Sequence, residues 1–147
     1  MKQLLLLVTF TCICSAIQAQ YSQDIIIEPL LKTDSTYIGQ KIIYPASQED
    51  EITLLKITIP PGHSTGWHTH EYPLVAYVQS GTLTVEFENN KSISFPPNSA
   101  FAETLNTIHN GINRGSENVV LLGFFMGVKG KPLSVHQEII NKIEKEE

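Results

Sequence analysis

The sequence predicts an all-β chain, a small antiparallel sandwich or barrel followed by one short C-terminal helix. Three observations predict it. Apolar residues recur at every second position over several short stretches, turn-forming residues separate those stretches, and helical periodicity is confined to the last fourteen or so positions. Leu55, Ile57 and Ile59 alternate with Lys56 and Thr58. Leu83, Val85 and Phe87 alternate with Thr82, Thr84, Glu86 and Glu88. Between them Leu74–Val78 is a continuous apolar run, as in a strand covered on both faces. Glu88-Asn89-Asn90-Lys91 supplies a two-residue turn that tolerates positive φ, pairing Thr82–Glu88 with Ser92–Phe95 as a hairpin. Pro96-Pro97-Asn98 ends that strand, and further strands are expected over Ala100–Glu103, Ile108–Asn113, Val119–Val128 and, before the core, Tyr37–Tyr44. The helix is expected from Ser134, a cap with Gln137 reaching back to it, with Val135, Ile139, Ile140 and Ile143 on one face.

The first 19 residues read as a secretory signal. Lys2 precedes the apolar stretch Leu4–Ala16, and Ala19 offers the small residue needed at a cleavage site. The stretch is short for a transmembrane helix. Cleavage leaves one domain, residues 20–147, destined for the periplasm or the exterior and free of the membrane. Both cysteines, Cys12 and Cys14, leave with the signal, so the mature domain has neither disulfides nor thiolate chemistry. The formal charge of the whole chain is -5, and Arg114 is its single arginine. With no basic cluster, the chain lacks the electrostatic footprint of a nucleic-acid binder.

The chemistry concentrates in Pro60-Pro61-Gly62-His63-Ser64-Thr65-Gly66-Trp67-His68-Thr69-His70. On an extended strand residues two apart share a face, so His68 and His70 can direct two imidazoles at one point. Gly62 is followed after five residues by His68, then His70, then after three residues Leu74 and after six more Gly81. Downstream, Pro97-Asn98-Ser99 forms a turn, and His109 is followed four positions on by Asn113. These two spaced motifs resemble those of the cupin superfamily, over roughly residues 52–125. The resemblance implies a jelly-roll barrel with a metal held inside by His68, His70 and His109. Two departures stand out. The family's acidic ligand is replaced by Leu74, and the glycine of its second turn by Ser99.

Three neutral imidazoles suit Fe, Zn, Ni or Cu better than Mn and leave positions open for a small molecule. The competing reading is a trio of hydrogen-bonded core histidines. Glu103, six residues before His109, is the candidate replacement for the lost carboxylate, or a general base if it does not ligate; the alternative is a solvent-facing place at the barrel rim. Glu71 alternates to the opposite face from the histidine pair. His63 is expected at the surface and His136 in the C-terminal helix. Trp67, Tyr72, Tyr77, Phe95 and Phe101 are expected in the core, with an aromatic-lined pocket as the alternative. Leu74, Ala76 and Val78 are expected to wall the site. Family resemblance implies a metal-dependent dioxygenase acting on a small apolar or aromatic molecule; the alternative is a non-catalytic module that binds a small molecule or metal. It also implies a homodimer, with Tyr21–Tyr44 long enough to swap or to cover a sheet edge.

Overall fold

The computed structural model describes residues 26–138. The signal at 1–19 and the apolar positions Ile139, Ile140 and Ile143 of the expected helix lie outside the described residues. Nine strands follow one another: β1 (Asp50–Ile59), β2 (His68–Thr69), β3 (Leu74–Ser80), β4 (Leu83–Phe87), β5 (Ser92–Phe95), β6 (Ala100–Ala102), β7 (His109–Asn113), β8 (Val119–Val128) and β9 (Val135–His136). They form two antiparallel sheets, one in the order β1-β8-β3-β6 and the other β5-β4-β7-β2-β9. The two-sheet all-β architecture is the one the alternating patterns predict.

Period two decides which side chains enter the core. On β1 the residues Ile57 and Ile59 face inward, on β3 Leu74, Ala76 and Val78, on β4 Leu83 and Val85, and on β8 Val119, Leu121 and Phe125. These residues form one core cluster, packed between the sheets. The run Leu74–Val78 lies on an interior strand, between β8 and β6, with Val75 and Tyr77 half-buried on the far face. Phe101 belongs to the same core and stacks on Phe95 with ring centroids 3.7 Å apart.

Turn chemistry fixes the register. The β4–β5 hairpin closes through Asn90 at φ 61°, and Leu83 pairs with Phe95 four rungs later. Asn98 takes φ 65°, donates its N–H to Val78 O at 2.8 Å, and accepts a bond from the Tyr77 hydroxyl at 3.0 Å. The turn therefore asks for positive φ at Asn98, so serine at position 99 is tolerated. Gly81 is required more strictly. It has φ +69°, and a Cβ there would sit 2.7 Å from the carbonyl oxygen of Asn118.

Asn113 ends β7 as a buried tie. Its Nδ2 donates to Ile59 O at 2.8 Å and to Glu117 O at 2.7 Å, and its Oδ1 accepts the Gly115 N–H at 2.9 Å. One side chain thus joins the end of β1 to the β7–β8 turn.

Two expected elements differ. Residues Tyr37–Tyr44 do not form a strand; the segment turns back on itself through Gly39 at φ 86°, with Ser35 opposite Lys41 as an isolated bridge. Thr36 accepts and donates across that turn, and Tyr37 N–H donates to Ala102 O at 3.0 Å. The arm thereby covers the free edge beside β6. At the other end, Val135 and His136 are strand rather than helix, because β9 pairs with β2. Ladder pairing at the sheet edge overrides the local capping signal, and helical backbone begins at Gln137.

Asn113→Ala should cost about 2–4 kcal/mol, because the buried Ile59 carbonyl, the part-buried Glu117 carbonyl and the Gly115 amide lose their partner. Gly81→Ala should cost at least about 2 kcal/mol through backbone clash and positive φ. Urea unfolding of the two variants beside the parent measures both, and a change under 0.5 kcal/mol, roughly the surface-substitution range, would contradict the assignment.

Candidate metal centre

Two ends of two strands bring the histidines together. His68 lies directly opposite His109 across the β2–β7 pair, and His70 follows two residues after His68 on the same face. All three are buried, and one nitrogen from each lies within 4.8 Å of the others. His68 Nε2 and His70 Nε2 are 3.2 Å apart.

Backbone carbonyls aim these rings. His68 Nδ1–H donates to Gly66 O at 2.7 Å, His70 Nδ1–H to Leu133 O at 2.8 Å, and His109 Nδ1–H to Thr107 O at 2.8 Å. A carbonyl can only accept, so each neutral ring carries its proton on Nδ1 and turns a bare Nε2 lone pair inward. Burial holds all three imidazoles below the ordinary histidine range, His70 down to about 3, with the carbonyl bonds partly opposing the shift. Neutral rings are the form that binds a metal ion.

Glu103 is buried and does not sit at a solvent rim. It follows β6 directly, and its N–H donates to Leu74 O at 3.0 Å, placing it beside the residue that stands at the expected acidic position. Its Oε1 accepts the Thr104 N–H at 2.9 Å and lies 3.9 Å from His109 Nε2. Burial pushes its carboxyl above the usual carboxylate range, against the lowering effects of Tyr37, the Thr104 amide and His68. No lysine or arginine forms an ion pair with it among the described residues.

The cluster opens into a cavity of about 200 Å³ between the sheets. Ile57, Ile59, Leu83, Val85, Leu121 and Phe125 give it apolar walls, and Leu74 and Ala76 contribute as expected. Val78 packs in the core instead of lining it. The five singled-out aromatics do not line this cavity either. Phe101 is buried in the core, Phe95 packs on it, and Trp67 flanks a separate surface depression.

Other expected positions resolve simply. Glu71 and His63 are exposed, and His63 is tied to Pro61 O through Nδ1 at 3.0 Å. His136 is the correction: pairing of β9 with β2 sets it opposite His68, and it lines the cavity mouth. Two contributors were not visible from motif spacing. Thr65 Oγ1 accepts the Gly111 N–H at 3.0 Å and lines the cavity, while Leu133 offers only its backbone oxygen to His70. The alternation of apolar Leu133 and Val135 with Ser134 and His136 was the available signal for a strand there.

Residues 55–125 match the family described as Cupin domain. No curated protein matches the chain. Among solved structures, DMSP lyase DddQ from Ruegeria pomeroyi superposes with a TM-score of 0.50 at 13% identity, covering 58% of this chain and 43% of that one. The chain therefore spans less than half the length of that lyase. A conserved protein with a double-stranded β-helix domain from Klebsiella pneumoniae gives 0.49 at 14% identity, covering 60% of this chain and 86% of the other. A cupin domain from Bordetella pertussis gives 0.48 at 19%, covering 67% and 99%. At 13% identity the superposition on the lyase speaks to the fold alone and carries no chemistry across. Both spaced motifs lie inside the matched region, whose strands are distributed over two antiparallel sheets, so residues 55–125 of the chain form a cupin domain.

Proposed function

We propose that His68, His70 and His109 hold one divalent transition-metal ion, and that the barrel is an exported metal-dependent enzyme of the oxygenase class acting on a small, largely apolar molecule. One observation carries the metal assignment. With all three Nδ1 protons committed to carbonyls, the Nε2 atoms of His68 and His70 face each other at 3.2 Å with no hydrogen to share. Two bare lone pairs at that distance repel unless a cation lies between them. Two donors each about 2.1 Å from one ion stand roughly 3 to 3.5 Å apart, so the spacing fits. The all-nitrogen set favours Fe, Zn, Ni or Cu over Mn.

Glu103 has two roles within reach. It supplies the carboxylate that Leu74 cannot, from the neighbouring strand, as a fourth ligand; if it stays off the ion, it is the buried group able to take a substrate proton. A bound ion also answers its burial, because an uncompensated carboxylate in an apolar cavity is costly. The ion itself, if redox-active, supplies electron transfer to dioxygen and Lewis acidity.

The cavity bounds the substrate. An engineered apolar cavity of about 150 Å³ takes benzene, so one of about 200 Å³ here suits a single ring or an aliphatic chain of similar size. Multi-ring molecules are too large for it. Apolar walls exclude water and orient such a ligand toward the histidines.

The exported location rests on residues 1–19, and N-terminal sequencing of the protein recovered from the periplasm or medium should begin at or near Gln20. A homodimer completes the reading. The outer face of the first sheet exposes Ile52 at 75%, Leu54 at 53% and Phe124 at 41%, with Leu54 directly opposite Phe124 across the β1–β8 pair. Among the described residues β1 is also an unpaired edge of ten residues, and a second copy covers both features.

Purified protein should carry about one equivalent of a divalent transition metal by elemental analysis, and His68→Ala, His70→Ala and His109→Ala should each abolish stoichiometric loading. Metal-free parent protein would overturn the assignment. Restoring metal at about a thousand-fold over Kd should stabilise the fold by about 4 kcal/mol, read as a rise in Tm over the chelated protein. Oxygen uptake with single-ring catechols and small thiols then tests the oxygenase; metal uptake without turnover points to a binding module instead. Light scattering should give a dimer for the parent and a monomer for Leu54→Glu/Phe124→Glu; a monomeric parent contradicts the dimer.

A further inference from the structure

The arm that precedes β1 contributes one group to the barrel interior that no motif includes. Tyr37 sits where its backbone N–H donates to Ala102 O at 3.0 Å, one residue before Glu103. Its ring is wedged edge-on against Phe95 and Phe101, with centroids 5.2 and 5.6 Å away, and tilted against Phe87 at 6.2 Å. That aromatic cage fixes the ring plane. The hydroxyl oxygen is fully buried and has no hydrogen-bond partner at ordinary distance. An orphaned buried hydroxyl costs about 1–3 kcal/mol, so its presence needs a reason.

The acceptor available to it is Glu103. Burial, reinforced by the nearby Glu103 carboxylate, holds the phenol strongly above its ordinary range. The phenol is therefore a donor. Oε1 of Glu103 is already engaged by the Thr104 amide and faces His109. The second carboxylate oxygen remains for Tyr37.

The position of the arm is not incidental. Gln40 Oε1 accepts from Leu105 N at 2.8 Å and from Thr104 Oγ1 at 3.1 Å, while its Nε2 donates to Leu105 O at 2.7 Å and Thr107 Oγ1 at 3.1 Å. Thr107 is also the residue whose carbonyl orients His109. A single glutamine thus locks the arm to the segment that presents both Glu103 and His109.

We infer that Tyr37 is a positioning residue, whose hydroxyl donates to Glu103 and sets the carboxylate's aim at the three-histidine centre, with Gln40 clamping the arm that delivers it. The inference rests on the metal reading only for its consequence at the ion; the pairing of hydroxyl with carboxylate is set by the position of the arm and does not depend on the ion. Removing an outer hydrogen-bond partner of a metal ligand typically lowers metal affinity 10- to 100-fold.

Two measurements on the full mature chain test it, using Tyr37→Phe, Glu103→Leu, which has no acceptor left at that position, and the double variant. In metal-free protein, the shifts in urea midpoint of the two single variants should fail to add in the double variant, because both remove the same bond. Additive shifts overturn the proposal whether or not the protein binds metal. In protein loaded with Co(II), chelator competition should show Tyr37→Phe releasing the ion about 10- to 100-fold more readily, with an altered visible absorption spectrum, and no further loss when added to Glu103→Leu. Unchanged Co(II) affinity and spectrum in Tyr37→Phe, beside a parent that binds Co(II), would overturn the positioning role and leave the histidine site intact. A parent that takes up no metal defeats the metal reading separately, and the metal-free cycle still decides the bond.

Discussion

Three hydrogen bonds from ring nitrogens to backbone carbonyls organise the interior of this barrel. Each is local in cause and distant in effect. Gly66 and Thr107 each lie two residues before the histidine they orient, whereas Leu133 reaches His70 from 63 positions away. The bonds select one tautomer for every ring, and the tautomer determines that the inward nitrogens are acceptors without protons. From this follow the neutrality of the cluster and the convergence of three lone pairs that could hold a cation. The long-range bond adds a constraint on the chain's end. β9 must pair with β2 for the Leu133 carbonyl to arrive, so the edge of the second sheet is part of the site.

Much of this could be read from residue order. Alternation located most of the strands, and the spacing of Gly62, His68, His70, Gly81, His109 and Asn113 located the cluster and its supporting turns. These features are legible because period and φ preference are properties of a few adjacent residues. What was not legible depends on partners far along the chain. Val135 and His136 satisfy a helix cap locally, yet the unpaired edge of β2 offers them ladder bonds. Tyr37–Tyr44 has strand composition, but Gly39 at positive φ and Gln40 bonded to the Thr104–Thr107 segment convert it to a clamp. Propensity has no term for a glutamine that reaches 65 residues ahead.

The same contrast applies to Tyr37. Its aromatic neighbours come from β4, β5 and β6, three strands whose convergence is a result of the fold. Sequence marks it only as one apolar-sided residue in an alternating stretch. The interior role emerges once Ala102 O takes its amide and the adjacent Glu103 is seen to be buried.

Leu74 and Glu103 show how the site can depart from its family's pattern without losing its logic. The two residues are neighbours on adjacent strands, joined by the Glu103 N–H to Leu74 O bond. Leucine at 74 buries an apolar side chain against the core, a gain of about 1.5–3 kcal/mol that a carboxylate there would forgo. The carboxylate of Glu103, just past β6, sits instead against the Thr104 amide, a donor that offsets part of its desolvation. The exchange also reshapes the cavity. With an apolar residue facing the histidines on the β3 side and the acid confined to the β6 side, polarity within the pocket is one-sided. A bound molecule would meet hydrocarbon along its length and polar groups at one end.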